Sequence, residues 1–138
     1  MTAQSMETII IDGRKRYMAA EPFNYYLETL DDPPELSSPH TACWRGYFGR
    51  WKIRVNKLFM TGLEAYVDIG GKTEEVGLDY FFPDQKQVFA EWFTGEIRVP
   101  MGKEIQYVHM GYESLYERDL LIHVKDGNIV SMIEIDNL

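Results

Sequence analysis

The groups able to do chemistry in this chain gather around Cys43 and between Trp92 and Glu117. His109, Glu113 and Glu117 recur every four residues, a spacing that on a helix would put an imidazole and two carboxylates on one face, as a metal centre requires. Gly111 and the strand-like flanks oppose a helix there, and neither His40 nor His123 stands at a zinc-ligand spacing, so no metal or other cofactor is expected. His109 is read instead as hydrogen-bonded to a backbone carbonyl or a neighbouring carboxylate. Cys43 as a nucleophile would need a base within hydrogen-bond reach, His40 or His109, and the basic residues around it would favour its thiolate. A lone cysteine between Ala42 and Trp44 is more often a buried small apolar group, and the structural reading is preferred. Glu91 and Glu113 would suit acid–base work in a cleft, but two carboxylates among 22 acidic residues are no signal by themselves. Phosphate loops, nucleophile elbows and dinucleotide fingerprints are absent. What the stretch does offer is a pocket lining: Trp44, Trp92, Tyr107, His109 and Tyr112, with Glu113 as a polar group, have the composition of a ligand site.

A second chemistry belongs to residues 40–63, which hold five basic and no acidic side chains. Trp44, Tyr47, Phe48 and Trp51 alternate there with Arg45, Arg50, Lys52, Arg54 and Lys57, the mixture that stacks and neutralises single-stranded nucleic acid. The plainer reading is an antiparallel strand with Trp51, Ile53 and Val55 in the core and Lys52 and Arg54 in solvent. The net charge of −8 favours that reading, since an acidic protein repels nucleic acid and anionic membranes and attracts basic proteins.

The elements that must position these residues read as short strands. Thr8–Ile11 and Arg14–Met18 form a hairpin about Asp12-Gly13, with Arg14, Lys15 and Arg16 decorating an edge. Phe23 to Leu30 fits either a strand or a helical turn, and Asp31 to Pro39 is a proline-rich loop. Asn56-Lys57 is expected to turn into Leu58–Thr61. Leu63, Ala65, Val67 and Ile69 share one face, Gly70-Gly71 turns, and Val76, Leu78 and Tyr80 alternate on the way back. A turn at Pro83-Asp84 leads into a strand through Trp92 and Phe93 to Ile97 and Val99. Pro100-Met101-Gly102 has the composition of a turn, after which Ile105, Tyr107 and His109 line one face of a returning strand. Leu120, Ile122 and Val124 alternate, Asp126-Gly127 turns, and Ile129–Ile135 closes the last hairpin.

Eight to ten short strands with at most one or two short helices make the chain mainly β, an antiparallel sandwich or a partly closed barrel, with residues 1–138 as a single domain. One cysteine excludes an internal disulfide. The first residues lack the apolar run of a secretory signal and no stretch has the length of a membrane helix, so the expectation is a cytoplasmic protein with no membrane contact.

The segments CWRGYFGRW (43–51), EWFTGEIRVPMGK (91–103) and YVHMGYESLYE (107–117) resemble a set of small bacterial proteins to which no activity is attached. That resemblance implies a bacterial, cytoplasmic, stand-alone domain and assigns no residue a role. The function expected from the residues is that of a small acidic binding protein that sequesters or regulates a protein partner, as an immunity protein covers a basic target. The alternative is a small-molecule-binding or hydrolytic β-barrel with its aromatic pocket around His109.

Overall fold

The computed structural model describes residues 6–38, 43, 45–106 and 115–138. In chain order these form β1 (Glu7–Ile11), β2 (Arg14–Met18), α1 (Pro22–Leu27), β3 (Tyr47–Arg54), β4 (Lys57–Ile69), β5 (Lys72–Val76), α2 (Leu78–Phe81), β6 (Val88–Phe89), β7 (Gly95–Gln106), β8 (Leu115–Lys125) and β9 (Asn128–Asp136). The mainly β expectation holds, with nine strands and two short helices among the described residues. All nine strands belong to one sheet whose main path is β2-β1-β3-β4-β9-β8-β7, and β5 and β6 also pair with β4.

Four hairpin turns follow one rule. Asp12-Gly13, Val55-Asn56, Gly70-Gly71 and Asp126-Gly127 each place two consecutive residues at positive φ, the backbone that matches the twist of the flanking strands. Three of the pairs contain glycine; the fourth does not. Val55 holds φ 52 although its β-branched side chain disfavours that region, and the residue is 81% exposed. The sequence pattern had continued the alternation through Val55 into the core, but the register Arg54↔Lys57 makes Val55 and Asn56 the turn itself. Val55→Asn is therefore expected to raise stability by about 1 kcal/mol, measured as a higher midpoint of thermal or urea unfolding.

The sheet is mixed. β1 and β3 run parallel, with Thr8↔Arg50, Ile9↔Trp51 and Ile10↔Lys52 in register, and the remaining ladders are antiparallel. A parallel pair needs a long crossover, and the segment carrying α1 and the proline loop supplies it. The loop is itself stitched to β4, where Ser37 N–H donates to Tyr66 O at 2.7 Å and Asp68 N–H to Glu35 O at 2.9 Å. The sheet curls until its ends meet, but no ladder closes it into a barrel. One bridge, Ala19↔Arg98, joins the end of β2 to β7.

Alternation fixes which side chains turn inward. Ile9, Tyr47, Trp51, Leu58, Met60, Ala65, Val88, Ile97, Val99, Ile122 and Val124 meet in the interior. Leu63, Ala65 and Val67 are buried as expected, whereas Ile69, beside the Gly70-Gly71 turn, is exposed.

Two local expectations are corrected. Leu78 and Tyr80 do not prolong β5: the chain turns helical at Leu78 because Phe81 and Phe82 pack onto α1, Phe81 edge-on to Phe23 and Phe82 against Tyr26. Pro100-Met101-Gly102 is no turn but part of β7, with Pro100↔Asp119 and Met101↔Arg118 paired before the register jumps to Glu104↔Tyr116. Gly102 at φ 80 and the Lys103 N–H, which donates to Glu117 Oε1 at 2.8 Å, mark a bulge there. Proline is tolerated because β7 is the last strand of the path, where a missing N–H interrupts no inner ladder. The Phe23–Leu30 alternative resolves as helix over Pro22–Leu27, with proline in the first turn and Phe23 buried. Among the described residues no helix is long and apolar enough to cross a membrane.

Candidate functional site

Trp92 occupies the turn between β6 and β7. Phe23 and Tyr26, three apart on α1, present adjacent rings, stacked with centroids 5.7 Å apart. Tyr26 meets Trp92 at 5.0 Å and Phe82 at 4.7 Å, and Phe82 stacks on Trp92 at 5.7 Å with an interplanar angle of 11°. The indole cannot swing freely, since its N–H donates to Pro22 O at 2.9 Å.

Beside these rings lies an open cleft of about 340 Å³, lined by Tyr26, Phe82, Gln85, Val88, Phe89, Glu91 and Trp92. Its volume falls at the lower end of the range for small-ligand sites. Ring faces carry negative quadrupole and attract cations, and the exposed Glu91 adds a carboxylate. Phe89 already carries one such contact, with the Lys57 ammonium 5.2 Å from its ring centroid. The cleft therefore suits a flat or apolar group bearing positive charge.

A second polar cluster lies inside the sheet. Glu7, fully buried at the start of β1, accepts from Trp51 Nε1 at 2.8 Å and from Arg45 Nε at 3.1 Å. Arg45 Nε also stands 3.7 Å from Glu21, and its guanidinium covers the rings of Tyr47 and Phe48. Burial pushes the Glu7 carboxyl above its ordinary value, against the opposing pull of Arg45, the Trp51 indole and the Gly49 N–H. Gly49 is needed at this point, because a Cβ there would lie 2.8 Å from Glu7 Oε1 and 2.7 Å from Trp51 Nε1. The cluster clips β1 to β3 and to the chain entering β3. Its geometry is that of a structural brace.

Of the residues anticipated for a pocket, Trp92 lines the cleft. Trp44, Tyr107, His109, Tyr112 and Glu113 lie outside the described residues, as does His40. Cys43 is buried, its thiol donates to Tyr47 O at 3.5 Å, and burial raises its pKa, which keeps it a thiol rather than a nucleophile. Glu117 sits in β8, so the four-residue spacing from His109 ends in a strand and not on a helix. His123 faces Glu96 across β7 and β8, with Nε2 3.6 Å from Oε2 on the half-exposed outer side. No group of three or more histidine, cysteine or acidic side chains gathers as a metal site among the described residues.

The cations of the acid-free window separate. Arg45 turns inward; Arg50 stands 3.5 Å from Glu64, Arg54 covers Phe59 and Lys57 covers Phe89. Trp51 is buried, so it offers no stacking platform.

Sequence reasoning did not single out Glu7, Tyr26 or Phe82. For Glu7 a signal existed, because in ETIII it shares the parity of buried Ile9. Tyr26 had helical spacing from Phe23, but its meeting with Phe82 and Trp92 is a property of the fold. Comparison of the chain with protein families, with curated proteins and with solved structures finds no match.

Proposed function

We propose that this protein is a binding module that sequesters or regulates a basic protein partner, with the cleft beside Trp92 receiving a cationic or flat side chain of that partner. The observation that carries the reading is the cleft itself: stacked aromatic walls and Glu91 on a chain of net charge −8. Aromatic anchors in shallow pockets dominate protein interfaces, and opposite charge speeds the encounter. Among the described residues the buried groups with nucleophilic or acid–base potential, Cys43, Glu7 and Asp119, are engaged in internal hydrogen bonds, which favours binding over catalysis.

Affinity recovery from the native cell at low and high salt tests this, with the wild-type chain and Glu91→Lys as baits. Glu91 is exposed, so its reversal alters the cleft without disturbing the core. The expected result is a stoichiometric basic protein recovered at low salt and reduced by about tenfold or more with Glu91→Lys. Absence of any stoichiometric partner at both salt concentrations overturns the proposal.

The cleft volume also favours a second reading, a small planar ligand. Quenching of tryptophan emission by a defined small molecule, lost in Trp92→Phe, would select it.

A further inference from the structure

β9 has a bare edge. On one side it pairs with β8 from Asn128 to Asp136, but on the other it touches β4 only at Lys57↔Asn128, where Ile129 N–H also donates to Asn56 O at 2.8 Å. Beyond Ile129 no described residue pairs with it on that side. Four exposed side chains along this stretch are apolar, Val130 at 67%, Ile133 at 49%, Met132 at 40% and Ile135 at 39%, with the exposed carboxylates Glu134 and Asp136 between and after them. Protein sheets guard such edges with lysine, proline or a covering element. β2 follows the rule with Arg14, Lys15 and Arg16, while Val130–Asp136 contains no basic residue and no proline and is guarded only by the bulge at Val130 and the carboxylates of Glu134 and Asp136.

We infer that two copies of this chain associate by antiparallel pairing of their β9 edges about a two-fold axis at Ile133. Two-fold pairing of one edge with itself must be antiparallel, and the structure leaves little choice of register. Ile129 is already engaged by the Val55-Asn56 turn, so the free segment runs from Val130 to Asp136 and its midpoint is Ile133. In that register Ile133 meets Ile133 of the second copy, and Ser131 meets Ile135, which gathers four isoleucines on one face. Met132 meets Glu134, whose carboxylate is already balanced by Arg118 at 3.5 Å.

Charge supports the same arrangement. Val130 lies opposite Asp136 of the second copy, which brings that carboxylate to the Val55-Asn56 turn with Arg54 and Lys57 on its two sides. Symmetry supplies the contact twice, and no two like charges face each other directly. Val55, the exposed apolar residue held at positive φ, stands at the same junction. Self-association uses none of the side chains that line the cleft beside Trp92, and Ile133→Lys, which leaves Lys57 on the Phe89 ring, separates the two proposals.

Sedimentation of the full chain over about 1 μM to 1 mM tests the inference, since a short edge contact is a small interface with micromolar-range affinity. The expected result is a concentration-dependent monomer–dimer equilibrium. Ile133→Lys, which sets two ammonium groups together at the axis, should abolish the dimer, and Asp136→Lys should weaken it by about tenfold. Combining Asp136→Lys with Lys57→Asp should restore it, an outcome that loss of folding cannot imitate. A monomer throughout the range, a dimer indifferent to Ile133→Lys, or a charge swap that fails to restore association each overturns the arrangement.

Discussion

Replacing Glu7 by alanine is expected to cost about 3–5 kcal/mol of folding stability, because it removes the nearest acceptor from a buried guanidinium and from a buried indole N–H at once. Arg45 is 6% exposed at its side chain and would lose the nearer of the two carboxylates beside its Nε, Glu7 at 3.1 Å against Glu21 at 3.7 Å. Trp51 is 1% exposed and its indole would lose the acceptor at 2.8 Å. Glu7→Gln keeps an acceptor oxygen at the same place and should lose less. It also isolates the proton linkage. The folded-state carboxyl titrates above its ordinary value of 4.5, so the folded chain holds its proton at pH values where the unfolded chain has released it. Glu7 thus contributes stability that is fully present below that value and is lost as pH rises through the folded-state pKa. Urea unfolding at a series of pH values should show this decline in the wild type and not in Glu7→Gln. A wild-type curve that rises through the same window relative to Glu7→Gln would refute the assignment.

Gly127→Ala should be nearly as damaging, at about 2–5 kcal/mol, since left-handed backbone strain and a steric clash add. A Cβ at this position would stand 2.6 Å from Ala90 O and 2.7 Å from the Phe89 ring, with φ already at 79. The backbone cannot retreat from the clash because it is held on both sides. Gly127 N–H donates to Phe93 O at 2.9 Å, and its carbonyl accepts from Leu58 N–H at 2.8 Å. Gly70→Ala is the matched control: it has φ 59 but nothing within 4 Å of the added Cβ, so only the backbone cost of about 1 kcal/mol remains. Unfolding midpoints of the two variants measure the difference. Equal losses would show that the clash with Ala90 is relieved. Ala90 leads directly into Glu91 and Trp92, so the substitution should also disturb the cleft.

The parts of this fold legible in the sequence are those decided locally. Asp12-Gly13 and Asp126-Gly127 announce hairpins through turn chemistry, and Ile122 and Val124 announce their face by alternation. Val55 misled because turn chemistry there is carried by a residue that resists it. Pro100 and Gly102 misled for the opposite reason: residues that usually make a turn here make a bulge, stabilised by a carboxylate from β8. The parallel pairing of β1 with β3 leaves no local mark, since it joins segments about 40 residues apart in the chain and depends on what the crossover can span. The cleft was half legible. Trp92 stood out by type, while Tyr26 and Phe82 become its neighbours only when the end of α2 packs onto α1.

The join between β2 and β7 has a kinetic meaning. Ala19 N–H to Arg98 O, at 2.8 Å, is a backbone bond that links the two ends of the curled sheet at the Ala19↔Arg98 bridge. Breaking it leaves every hairpin intact, so the sheet can part along a seam while its ladders stay formed. Water would enter the interior there first, beside Met18, Ile97 and Val99, long before global unfolding. Solvent exchange of the inner amides is expected to be fastest along that line and to spread outward from it.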